Sequence, residues 1–144
     1  MIPIFQQIVD PGRGDCFKCC VASIFELEYD QVPNFIEDPS KRMDLATNKW
    51  LAQFGYRMLS IVVNEKHDIY GIDWILSEGL FCVLSVPSQR FPGGSHAVVG
   101  EFKGKSNEYE LKIVHDPNIK NTQYPNDVKI SRVIFFVPII PKIK

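Results

Sequence analysis

Gly14-Asp15-Cys16-Phe17-Lys18-Cys19-Cys20-Val21-Ala22-Ser23-Ile24-Phe25 is the stretch on which the fold turns. Phe17, Cys20, Val21, Ile24 and Phe25 recur at helical spacing, and Glu26, Glu28 and Asp30 close the solvent side. The spacing predicts a buried amphipathic helix over about 16–28. It follows the turn Pro11-Gly12-Arg13-Gly14, with Asp15 as its expected N-cap. Cys16 then occupies the first turn, where unsatisfied N–H groups and the helix dipole favour a thiolate, the nucleophilic form. The adjacent carboxylate of Asp15 opposes that charge. A base is therefore required.

Working outward, His96 is the best-placed base. It opens the apolar strand Ser95-His96-Ala97-Val98-Val99-Gly100, directly after the turn Pro92-Gly93-Gly94. A second strand, about 108–114, is joined to the first as a hairpin and ends at His115-Asp116-Pro117-Asn118. In an antiparallel hairpin the end of the second strand lies beside the start of the first, so Asp116 is expected near His96. Cys16, His96 and Asp116 then suit a thiol hydrolase: the thiolate attacks, the imidazole carries the proton, and the carboxylate fixes the tautomer. His115, one residue away, is the rival base and should point to the other sheet face. Asp116 has a plainer reading as the cap of its Asp-Pro-Asn turn.

The remaining elements are shorter. A second helix is expected from Met43 to Phe54, with Met43, Ala46, Trp50 and Phe54 on one face and Gly55 as its stop. Strands are expected at about 57–63, 80–86 and 133–137, and a short helix at about 70–78 that includes Trp74. His67 reads as surface loop. Helices first and an antiparallel sheet second make an α+β layout in one domain over residues 1–144.

Composition sets outer limits. Sixteen Lys and Arg against 17 Asp and Glu are interspersed, with a net charge of −1. No basic face for nucleic acid is visible, and Lys142 and Lys144 read as a solvated tail. The opening Met1-Ile2-Pro3-Ile4-Phe5 lacks the basic flank and long apolar core of a signal peptide, and no run reaches the roughly 20 residues of a membrane helix. A cytoplasmic protein is expected, with no membrane or nucleic-acid partner. Reduced thiols follow from that compartment. Cys19 and Cys20 read as helix packing and Cys82 as a buried strand residue. Cys16-x-x-Cys19 has zinc-ligand spacing, but no second pair accompanies it, so no metal and no organic cofactor is implied. Val137-Pro138-Ile139-Ile140 is apolar enough to pack on a partner or on the chain's own core; oligomeric state stays open.

Gln6, Gly14-Asp15-Cys16, Ser95-His96-Ala97-Val98-Val99 and His115-Asp116-Pro117 together resemble the papain-like cysteine peptidase superfamily. The resemblance is strongest to its small bacterial branches, such as the bacteriocin-leader-processing peptidases. Ile2-Pro3, Cys20-Val21-Ala22-Ser23 and Val32-Pro33-Asn34-Phe35 are similar to a set of small bacterial and phage proteins. The resemblance implies a papain-like fold and hydrolysis of a peptide, isopeptide or other amide bond in a peptide or protein substrate. It also implies an upstream glutamine as oxyanion donor, Gln6 or less surely Gln7, with the Cys16 N–H as the second. Two other functions share these residues: acyl transfer of the transglutaminase kind, and a non-enzymatic phage or bacterial binding protein that keeps the fold.

Overall fold

The apolar run that begins at Leu80 lies at the centre of the sheet, in a computed structural model that describes residues 1–37, 42–63, 79–103, 110–121 and 123–139. The helix expected near 70–78, His67, Trp74, the hairpin tip at 104–109 and the C-terminal lysines lie outside the described residues. Helix α1 spans Cys16–Phe25 and α2 spans Met43–Leu51. The strands are β1 (Tyr56–Val62), β2 (Leu80–Pro87), β3 (Ser95–Lys103), β4 (Glu110–His115) and β5 (Arg132–Pro138). They form one five-stranded sheet in the order β1-β5-β2-β3-β4, and each neighbouring pair is antiparallel. The fold is α+β, as the order of elements predicts. No described helix is long and apolar enough to cross a membrane.

α1 is shorter than its periodicity suggests. It stops at Phe25 because Glu26 turns into the left-handed region (φ 55°), and the Leu27 N–H bonds back to Ala22 O at 2.9 Å. Leu27 thereby packs on the core, which offsets the cost of a non-glycine residue at positive φ. Residues Tyr29–Gln31 form only a 3-10 turn. α2 also ends in a 3-10 turn, Ala52–Phe54, before Gly55 at φ 77°.

Two apolar clusters sandwich the sheet. On one face Phe17, Cys20 and Val21 of α1 meet Val83, Val99 and Ile134, while Phe35 and Trp50 close the edge in edge-to-face contacts. On the other face Cys82, Leu84, Val98, Val133 and Phe135 are covered by Tyr124, Val128 and Ile130 from the chain between β4 and β5. That cover has no periodic signature and was not expected. Gly100 lies in this layer: a Cβ there would meet Leu84 Cδ1 at 2.6 Å and Cγ at 2.9 Å. Because Leu84 is fully buried, Gly100→Ala should overpack the sheet and cost about 1–3 kcal/mol in denaturant unfolding. An unchanged midpoint would mean that Leu84 has room to yield.

Candidate active site

Asp15 departs from its expected role. It makes no side-chain cap to the helix, although the Cys19 N–H bonds to its backbone carbonyl at 2.9 Å. Instead its carboxylate, 0% exposed, turns back to accept four hydrogen bonds. These come from Gln7 N (3.0 Å), Ile8 N (3.2 Å), Gln6 Nε2 (3.3 Å) and the Tyr29 hydroxyl (2.6 Å). Several donors on one buried carboxylate outweigh a single capping bond. Lys18 adds a cation 3.5 Å from the centre of the Tyr29 ring. Burial and the bond to Asp15 push the Tyr29 hydroxyl well above its ordinary pKa.

As the first residue of α1, Cys16 has a backbone N–H with no acceptor among the described residues. Cys16 and His96 line the same cavity, and Cys16 is one of the neighbours that raise the His96 pKa. Cys19, Cys20 and Cys82 are all buried, and burial raises each thiol, Cys19 and Cys82 to about 12. Those three are packing residues, and all four cysteines are free.

His96 sits at the start of β3, 8% exposed, and its Nε2 is 2.6 Å from Asp116 Oδ1. With Nε2 engaged there, Nδ1 is the nitrogen left for Cys16. Burial alone would lower the imidazole pKa, but hydrogen bonds to Asp116 and Cys16 and their charges raise it to about 9. Asp116 is held in turn by Asn118 N on Oδ1 (2.7 Å) and Asn121 Nδ2 on Oδ2 (2.9 Å). Burial works against its charge, yet the bonds from His96, Asn118 and Asn121 hold its carboxyl below the usual range. Asp116 thus both caps its turn and orients the histidine.

A β-bulge makes that pairing possible. Val99 faces His115 but Gly100 faces Ile113, so Val114 is an extra residue in β4. With an unbroken ladder Asp116 would fall opposite Ala97, whose side chain belongs to the α1 face. The bulge moves it opposite Val98, on the same face as His96, because successive side chains alternate. It also sends His115 to the α1 side. There its Nε2 donates to Ile4 O at 2.9 Å and its ring meets Phe5 edge-on. His115 is an anchor for the N-terminal segment, not a base for Cys16.

These groups open onto a cavity of about 570 Å³ lined by Cys16, His96, Gln6 and Asn118 among others. Gln6 is brought to the site, with its backbone N–H on Pro117 O at 2.9 Å. Its side-chain N–H groups, however, are taken by Ile8 O and Asp15 Oδ1, each at 3.3 Å, while Oε1 is buried without a partner. In this arrangement Gln6 has no N–H left for an oxyanion, because Asp15 competes for it. Gln7 is exposed and does not line the cavity. Sequence reasoning missed Asn121, which the fold brings to Asp116, and Tyr124, whose hydroxyl accepts from Asn121, both from a stretch with no pattern to mark it. Comparison of the chain with protein-family models, with curated proteins and with solved structures gives no match.

Proposed function

We propose that this chain is a cysteine-dependent hydrolase of the papain-like kind, cleaving a peptide, isopeptide or other amide bond. One observation carries the reading: a buried imidazole bonded to a carboxylate shares the wall of one cavity with a cysteine at a helix N-terminus. Cys16 Sγ attacks the carbonyl carbon and forms a tetrahedral oxyanion. The Cys16 N–H points to one donor for it. Gln6 can join as a second only by giving up a 3.3 Å bond. The His96 imidazolium then protonates the leaving nitrogen as the C–N bond breaks, leaving a thioester on Cys16. Water, deprotonated by His96, hydrolyses it and restores the thiol. Asp116 keeps the ring in the tautomer that both steps need.

The sign of the pH dependence follows from His96. Its folded pKa is raised, so the imidazolium persists through neutrality and is lost as pH rises through about 9. Stability contributed by the imidazolium is complete below about 6.5, the ordinary histidine value, and disappears over the same rise. Alkylation of Cys16 by iodoacetamide, followed by mass spectrometry, should therefore already be fast and selective near pH 7. In His96→Ala it should slow and climb only toward about 8.5, where an unassisted thiol ionises. Equal rates in the two proteins would show that the fold holds the thiol without activating it.

A further inference from the structure

The cavity extends well beyond Cys16, and its far end differs in chemistry from its near end. Its floor is the part of the α1 face of the sheet that the helix leaves open, where Ala97 and Ser85 are half-buried and border the buried Val83 and Ile134. Across that floor the register aligns Ala97 on β3 with Ser85 on β2 and Arg132 on β5. Residues directly opposite one another share a face, and adjacent strands are about 4.8 Å apart. Arg132 therefore emerges about 10 Å from the strand that carries His96, two strand spacings away.

Arg132 is exposed and tied at one point: its Nη1 donates to Ser60 Oγ on β1 at 3.1 Å, which uses one of its five N–H donors. Arg90, from the turn between β2 and β3, lines the same cavity. Among the described residues neither guanidinium has a carboxylate partner. The acidic group of the lining, apart from the triad, is Asp10. It belongs to the turn just before α1, whose backbone carbonyl takes the Gly14 N–H at 3.0 Å, and so lies at the cysteine end.

We infer that the β5 end of the cavity is a carboxylate subsite, in which Arg132, with Arg90 from the loop, binds an acid group of the substrate. The inference rests on reading the Cys16 cavity as a substrate cleft. An extended chain advances about 3.3 Å per residue, so a carboxylate a few residues from the attacked carbonyl reaches this end of the cavity. In between, the substrate passes over Ala97 and Ser85. The acid is either a Glu or Asp side chain or a chain terminus; a guanidinium fork receives both alike.

Binding to the Cys16→Ala protein tests this without turnover. The probes are fluorescent, end-blocked apolar hexapeptides in which one Glu is moved along the chain, their Gln counterparts, and Gln peptides with a free C-terminal carboxylate. At one position Glu should bind about tenfold tighter than Gln, or the free terminus should do so in its place, which distinguishes the two sources. In Arg132→Gln the ratio should fall to about one, and Arg132→Lys should recover part of it. Arg90→Gln, outside the sheet, reduces the ratio without touching the Ser60 bond. Equal affinities at every position, no binding of any peptide, or a preference indifferent to both arginines would overturn the inference. Cleavage of the same peptides by the native protein separates the two claims. Turnover without acid preference removes the subsite and keeps the hydrolase. Acid preference with no cleavage of any probe does the reverse.

Discussion

Cys16→Ala should abolish turnover, by at least about 10⁴-fold, and leave the unfolding midpoint within about 0.5 kcal/mol of the native protein. Loss of the attacking group removes the covalent route altogether, whereas residual catalysis from binding and oxyanion contacts is small by comparison. The fold should tolerate the change because Cys16 is only partly buried and stands outside both apolar clusters. Cys20→Ala supplies the contrast. Cys20 is fully buried between α1 and the sheet, so its truncation should cost about 1–2 kcal/mol of stability and spare the rate. Measured side by side by peptide hydrolysis and denaturant unfolding, the reverse pattern would refute the assignment of the nucleophile.

Asp15→Ala should be among the most damaging single changes to stability, at about 3 kcal/mol. It strips the acceptor from the Gln6 amide, the Gln7 and Ile8 N–H groups and the Tyr29 hydroxyl, and a buried donor left unpaired costs about 1–3 kcal/mol. The N-terminal segment can rehydrate in part, so the terms do not sum in full. Asp15→Asn should be milder. One oxygen can still serve Gln7, Ile8 and Tyr29, and the new amide can donate to the Gln6 Oε1 that now lacks a partner. That exchange turns Gln6 over and frees its own N–H groups. Equilibrium unfolding of the three proteins decides the matter: a loss below about 1 kcal/mol in Asp15→Ala would mean that the segment is held by other contacts. The bonds that the segment donates to Pro117 O and Ser23 and accepts from His115 are the candidates.

Much of the architecture is legible along the chain because its causes are local. Helical spacing places Phe17, Cys20 and Val21 on the face that α1 buries, and five apolar runs become five strands within a few residues of their expected ends. The hairpin argument that brings Asp116 to His96 is local as well, since both flank one antiparallel pair of strands that are consecutive in the chain.

What the sequence by itself determined is therefore the α+β layout, the placement of Cys16 at a helix start, and the nearness of His96 and Asp116. Tertiary structure decided the rest, because those features depend on partners far apart in the chain. Tyr29 and residues 6–8 recruit Asp15 away from capping its own helix, and with it they engage the Gln6 amide. Register across three strands sets Arg132 over the same floor as Ala97. The extra residue Val114 turns Asp116 to the face of His96. A period-2 pattern read along one strand carries no mark of that insertion, since only the partner strand reveals that two residues oppose one.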